Sequence, residues 1–175
     1  MSVFLKTISA CVLLIFMGFG ATATDLKIND TAPLFKTKSQ DDKDFDMSSR
    51  KGNWTVLYFY PKAGTPGCTK QACAFRDSIN KIRSPDTDVF GISTNSVTEQ
   101  AAFYKEHHLN FSLLADEGGK ISGAYGTKMP LVTIAKRWTF IIDPQLKIRK
   151  IEKDVDPALD AEKVAAMLAE LKKTK

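Results

Sequence analysis

Trp54 to Tyr60 is a near-continuous run of apolar, β-branched and aromatic residues, stopped by Pro61. Such a run reads as a strand buried on both faces, because a half-exposed strand alternates polar with apolar residues. A Gly/Pro-rich turn follows, Lys62-Ala63-Gly64-Thr65-Pro66-Gly67, and then Ala72, Phe75, Ile79 and Ile82 recur at spacings of three and four. That periodicity predicts a helix over residues 66 to about 83, with Pro66 in the first turn, where its missing N–H costs nothing. Strand, tight turn and helix in immediate succession require a sheet with layers packed on both sides.

The remaining pattern completes such a sheet. Ser84-Pro85-Asp86 ends the first helix and Asp88 to Ser93 reads as the next strand. Ser96-Val97-Thr98-Glu99 is a capping box opening a second helix that runs to His107 or His108. Phe111 to Leu114 is a short strand and Gly118 to Tyr125 a short helix. Trp138 to Ile142 is a buried strand, turned at Asp143-Pro144 into a strand from Lys147 to Ile151. Asp160 to Lys173 is an amphipathic closing helix with Val164, Leu168 and Leu171 on one face. Upstream, Asp25 to Pro33 is extended, and Lys38 to Asp46 is an acidic turn region joining two short strands. Right-handed crossovers make the first strands parallel, and the late hairpin adds antiparallel ones. The expected fold is α/β, a thioredoxin-like three-layer α/β/α sandwich with a mixed central sheet.

The chain has 175 residues, consistent with one domain preceded by a leader. Lys6, an apolar stretch from Ile8 to Phe19, and Ala21-Thr22-Ala23 have the anatomy of a secretory signal peptide over residues 1–23. The apolar part, about 12 residues, is short of the roughly 20 that span a bilayer. The expectation is an exported, periplasmic or otherwise extracytoplasmic protein, with residues 24–175 as the folded domain and no stable membrane association after cleavage. Net charge is +5, but the basic residues are dispersed, apart from Lys172-Lys173-Thr174-Lys175. Without a basic patch interleaved with aromatics, nucleic acid is not an expected partner. His107-His108 has no third ligand nearby in sequence, so no metal site is expected either.

Removing the leader removes Cys11 and leaves Cys68 and Cys73. Cys68 stands where the first helix begins, a place that favours negative charge on sulfur, and the thiolate is the reactive form. A disulfide between cysteines this close closes a tiny loop and constrains the unfolded chain little, so a redox pair explains them better than a staple. In a regular helix their Cα atoms would sit about 8.6 Å apart, beyond the roughly 7 Å that a disulfide tolerates. Bond formation between them therefore predicts unwinding of the first helical turns. Thr65 can serve as helix N-cap or as a site hydroxyl. Pro61 can end the strand or shield the thiol from water, and Arg137 can be a solvated strand-start residue. Tyr60 and Phe90 can line a pocket mouth or belong to the core.

The block Tyr58-Phe59-Tyr60-Pro61-Lys62, Thr65-Pro66-Gly67-Cys68-Thr69, Gln71-Ala72-Cys73, Phe75-Arg76-Asp77 resembles the active-site motif of the peroxiredoxins, in particular their bacterioferritin-comigratory or Q-type branch. The similarity runs on through Gly91-Ile92-Ser93, Phe111 to Asp116 and Arg137 to Asp143. The resemblance implies a thiol peroxidase acting on hydrogen peroxide and organic hydroperoxides. Cys68 would be the peroxidatic cysteine and Cys73 the resolving one, joined in a Cys68–Cys73 disulfide that a thioredoxin-like protein reopens. Thr65, Pro61 and Arg137 would complete the site, with no cofactor and a monomeric state. Trp138 stands where that family has a smaller residue, and is expected to narrow or edge the pocket. A thiol–disulfide oxidoreductase or a redox-sensing module on the same fold are the competing functions. The C-x4-C spacing speaks against the first, which uses C-x-x-C.

Overall fold

The computed structural model describes residues 25–84 and 86–173. The expected leader, Cys11 included, lies outside the described residues. The elements follow in the order β1 (Lys36–Lys38), β2 (Asp44–Asp46), β3 (Trp54–Phe59), α1 (Pro66–Ile82), β4 (Thr87–Ser93), α2 (Val97–Glu106), β5 (Ser112–Ala115), α3 (Lys120–Ala124), β6 (Thr139–Ile142), β7 (Ile148–Glu152) and α4 (Asp160–Lys173). A five-stranded sheet has the order β5-β4-β3-β6-β7, and β1 and β2 form a separate ribbon. β3 pairs in parallel with β4, and β4 with β5, whereas β6 runs antiparallel to both β3 and β7. This is the expected mixed sheet, with the antiparallel strand inserted beside the central one.

Every residue of β3 is buried. Its pleat divides the core in two. Val56, Tyr58 and the following Tyr60 join Ala72, Phe75 and Ile79 of α1 with Val164 and Leu168 of α4 on one face. Leu57 and Phe59 join Phe90, Ile92, Tyr125, Phe140 and Ile142 on the other. That double burial explains why the run carries no polar alternation. The capping box at α2 forms as the sequence predicts: the Ser96 side chain accepts from the Glu99 N–H, and the Glu99 carboxylate accepts from the Ser96 N–H.

Several boundaries differ. Thr139, not Trp138, is the first residue of β6, and α3 is limited to Lys120–Ala124, behind Gly119 in the left-handed region. Two positions that could have lined a pocket are core instead. Tyr60 is 1% exposed and its hydroxyl donates to Gln100 Oε1. Phe90 packs on the face opposite Cys68.

Candidate active site

The site is built where β3 passes into α1. The turn between them is fixed at several points. Gly64 takes φ 76°, a left-handed conformation that costs a residue with a Cβ. The Ala63 N–H donates to Asn95 Oδ1 at 2.9 Å, so the loop after β4 holds the turn from the side. Thr65 occupies the N-cap position but makes no side-chain cap bond. Its hydroxyl donates back to the Lys62 carbonyl at 2.9 Å, which leaves its lone pairs as what it offers its surroundings. The N-cap alternative for the Thr65 side chain is therefore not what the structure shows. Pro61 lies two residues beyond the last residue of β3, Phe59, where the absence of an N–H suits a chain leaving the ladder.

Cys68 lies in the first turn of α1, two residues after Pro66, and is 1% exposed. Cys73 is half-buried further along the same helix, and both thiols are free. α1 is continuous through both, the geometry in which a disulfide between them is out of reach.

Arg137 comes from just before β6, and β6 pairs antiparallel to β3, so its guanidinium is delivered to the start of α1. Nη2 donates to Cys68 Sγ at 3.4 Å, while Nη1 donates to Gln71 Oε1 at 2.5 Å. The structure thus brings together Cys68 and Arg137, which the family resemblance, and not the local pattern, had associated. Gly67 makes room for this approach: a Cβ there would lie 3.3 Å from Arg137 Nη2.

Behind Arg137 is a polar chain that the sequence reading did not single out. Gln71, fully buried one helical turn after Cys68, donates through Nε2 to Asp160 Oδ2 at 2.7 Å. Asp160 Oδ2 also accepts from Thr139 Oγ1 at 2.8 Å. Burial is the largest influence on the Asp160 carboxyl and raises its pKa, against lowering by the Gln71 and Thr139 hydrogen bonds. The only sequence signal for this chain was two polar residues at positions whose helical neighbours are apolar.

Trp138 is not where it was expected. Side chains alternate along a strand, and with Arg137 turned toward Cys68 the indole turns the other way. It packs against the cluster containing Phe140, with Lys136 Nζ and Lys153 Nζ over its ring at 5.1 and 4.5 Å. Trp138 therefore neither narrows nor edges the Cys68 site.

Comparison with known proteins shows the family. Residues 28–151 match the model of the AhpC/TSA family, and the chain belongs to that family. Within it, the relatives carry the names of the Q-type and Bcp branch. The chain is 42% identical over 135 residues to a chloroplastic peroxiredoxin Q of Populus jackii, covering 73% of this chain and 63% of that protein. It is 36% identical over 135 residues to peroxiredoxin Bcp of Escherichia coli (strain K12), covering 74% of this chain and 86% of that protein. The crystal structure of peroxidoxin BcpB from Mycobacterium tuberculosis superposes with a TM-score of 0.77 at 32% identity, covering 83% of this chain and 98% of that one. The chain spans 63% of the length of the Populus jackii relative and 52% of that of a chloroplastic peroxiredoxin Q of Triticum aestivum.

Proposed function

We propose that this protein is a thiol peroxidase that reduces hydrogen peroxide and organic hydroperoxides. The observation that carries the reading is the buried Cys68 sulfur at the start of α1 with the Arg137 guanidinium donating to it. A helix start and a fixed cation both favour negative charge on sulfur. In the first step the Cys68 thiolate attacks one peroxide oxygen, and the O–O bond breaks. Sulfur becomes a sulfenic acid, and the departing alkoxide or hydroxide takes a proton to leave as alcohol or water. Arg137 would stabilise charge developing on the departing oxygen. The free lone pairs of Thr65 would accept from the peroxide O–H, and Pro61 would shield the thiolate from water.

In the second step the Cys73 thiol attacks the sulfenic sulfur, releases water, and forms the Cys68–Cys73 disulfide. A dithiol protein of thioredoxin-like type then returns both sulfurs to thiols by exchange, becoming oxidised itself. The leader-like composition of residues 1–23 supports export and removal of that segment, so the reductant would be an extracytoplasmic one. With both cysteines in one chain, the reading is of a monomer.

The test is mass spectrometry of the protein, as recovered from its host, before and after one equivalent of peroxide. The expected result is an N-terminus near residue 24, loss of two thiol hydrogens, and a peptide linking Cys68 to Cys73. In Cys73→Ser the product stops at a sulfenic acid on Cys68. Consumption of peroxide by Cys68→Ser at the wild-type rate would overturn the assignment.

A further inference from the structure

Asp160 is the first residue of α4, yet its carboxyl group points inward and is 1% exposed. An acidic residue at a helix start helps the dipole from the surface, so this role gives no reason for burial. Burying a carboxyl group costs free energy unless its oxygens are matched, and here only one is. Oδ2 accepts from Gln71 and Thr139, while Oδ1 has no hydrogen-bond partner among the described residues.

The chemistry of the intervening amide explains the arrangement. A guanidinium has donors and no acceptor, so the Gln71 atom facing Arg137 Nη1 must be its oxygen. The same amide must then present its NH2 to whatever lies on its other side, and only an acceptor satisfies it there. Asp160 Oδ2 is that acceptor. Without it the amide is free to turn over and set donor against donor at Arg137. We propose that Asp160 is a positioning residue for the Cys68 site: it fixes the orientation of the Gln71 amide, which in turn holds Arg137 with Nη2 on the Cys68 sulfur. Thr139 steadies the same carboxylate oxygen from β6, so α1, β6 and α4 are tied to one another directly behind the thiol. The inference rests on the thiol-peroxidase reading and adds a residue to it that never touches substrate.

The test uses the whole chain and four variants: Asp160→Ala, Asp160→Asn, Gln71→Glu, and Gln71→Glu combined with Asp160→Asn. Two rates are measured at Cys68, reaction with hydrogen peroxide and alkylation by iodoacetamide, alongside thermal melts. Asp160→Ala is expected to slow both reactions about tenfold, since small misplacements of a site group are costly. Asp160→Asn recovers most of that loss. Its carbonyl replaces Oδ2, and its NH2 falls at the Oδ1 position, where it displaces no donor. Gln71→Glu sets two carboxyl groups against each other and slows both reactions. The double variant restores an acceptor toward Arg137 and a donor between the two side chains, and regains the rate. Mere loss of packing would not be repaired by that exchange. A folded Asp160→Ala variant with both rates within about twofold of wild type overturns the proposal, as does a double variant no faster than Gln71→Glu alone. Should Asp160→Ala not fold, the Gln71→Glu comparison decides. Alkylation that slows in a protein whose wild type does not react with peroxide would reject the peroxidase reading and support the positioning role.

Discussion

Arg137 and Cys68, 69 residues apart in the chain, meet with Nη2 at 3.4 Å from Sγ. The second guanidinium nitrogen is held by Gln71, so the cation cannot swing away without breaking a part-buried hydrogen bond. A fork with two separately engaged nitrogens is something a lysine ammonium cannot reproduce.

Replacing Arg137 by alanine is expected to slow the reaction of Cys68 with peroxide about a hundredfold, the scale seen when one fixed donor is removed from a site of developing charge. Arg137→Lys should recover only a small part. Stopped-flow measurement of the second-order rate constant reads both, and a wild-type rate in Arg137→Ala would make the contact incidental.

Gly67 separates stability from rate. A Cβ at this position would come 3.3 Å from Arg137 Nη2 and 3.9 Å from Pro157 Cγ, so the guanidinium must shift by a few tenths of an ångström. Alanine also favours a helix more than glycine does. Gly67→Ala should therefore react severalfold more slowly while its melting temperature holds or rises. A lowered melting temperature with an unchanged rate would contradict this.

Gly91 is a packing position instead. A Cβ there would lie 2.6 Å from both Cζ and Oη of Tyr58, a fully buried ring stacked on Phe75 at 4.6 Å. Overpacking of this kind costs about 1–3 kcal/mol. Urea unfolding of Gly91→Ala should show the lower midpoint, and an unchanged one would mean that Tyr58 can move aside.

Asp160 gives a pH signature. Its folded-state pKa is raised, with burial as the largest cause, Glu152 adding to it, and Gln71, Thr139 and Arg137 opposing it. A raised carboxyl contributes stability that is fully present below the unfolded value and is lost as pH rises through the folded one. Asp160→Asn, which cannot ionise, should therefore gain stability relative to wild type as pH rises from below the ordinary carboxylate range to neutrality. Melting curves at several pH values with a constant difference between the two proteins would remove Asp160 as the titrating group.

The unwinding of α1 expected on oxidation should have a defined limit. Arg76 is pinned in the middle of the helix: its Nη1 donates to the His107 carbonyl at 2.8 Å, and its own carbonyl accepts from Asn110 Nδ2 at 3.1 Å. Phe75 is locked against Tyr58. Amide exchange on oxidation should rise over residues 66–74 and stay unchanged from Arg76 onward. Equal exchange over residues 66–74 in the reduced and oxidised forms would mean that the disulfide forms without melting the helix.

The parts of this molecule that were legible in the sequence are those set by neighbours in the chain. The double burial of β3, the turn at Gly64, the helix start at Cys68 and the capping box at Ser96 each follow from fewer than a dozen consecutive residues. Arg137 is different. Its local pattern gave a solvated strand-start residue, and only resemblance to a family attached it to Cys68. Gln71, Asn95 and Asp160 were missed because each is defined by a partner 32 to 89 residues away. Locally, Gln71 is one more helical residue and Asp160 a favourable charge at a helix end. Trp138 was misplaced for an avoidable reason: once Arg137 faces Cys68, strand alternation already sends its neighbour to the opposite side.

The insertion of β6 between β3 and β7 has a consequence for the timing of reactivity. The strand–turn–helix unit that carries Cys68 can assemble from local contacts. The guanidinium arrives only when a strand from the far end of the chain docks beside β3, and closing so long a loop is a slow, late event in folding. An incompletely folded chain therefore carries the thiol without the guanidinium contact. The Cys68–Arg137 contact is thus a property of the completed sheet and not of the strand–turn–helix unit alone.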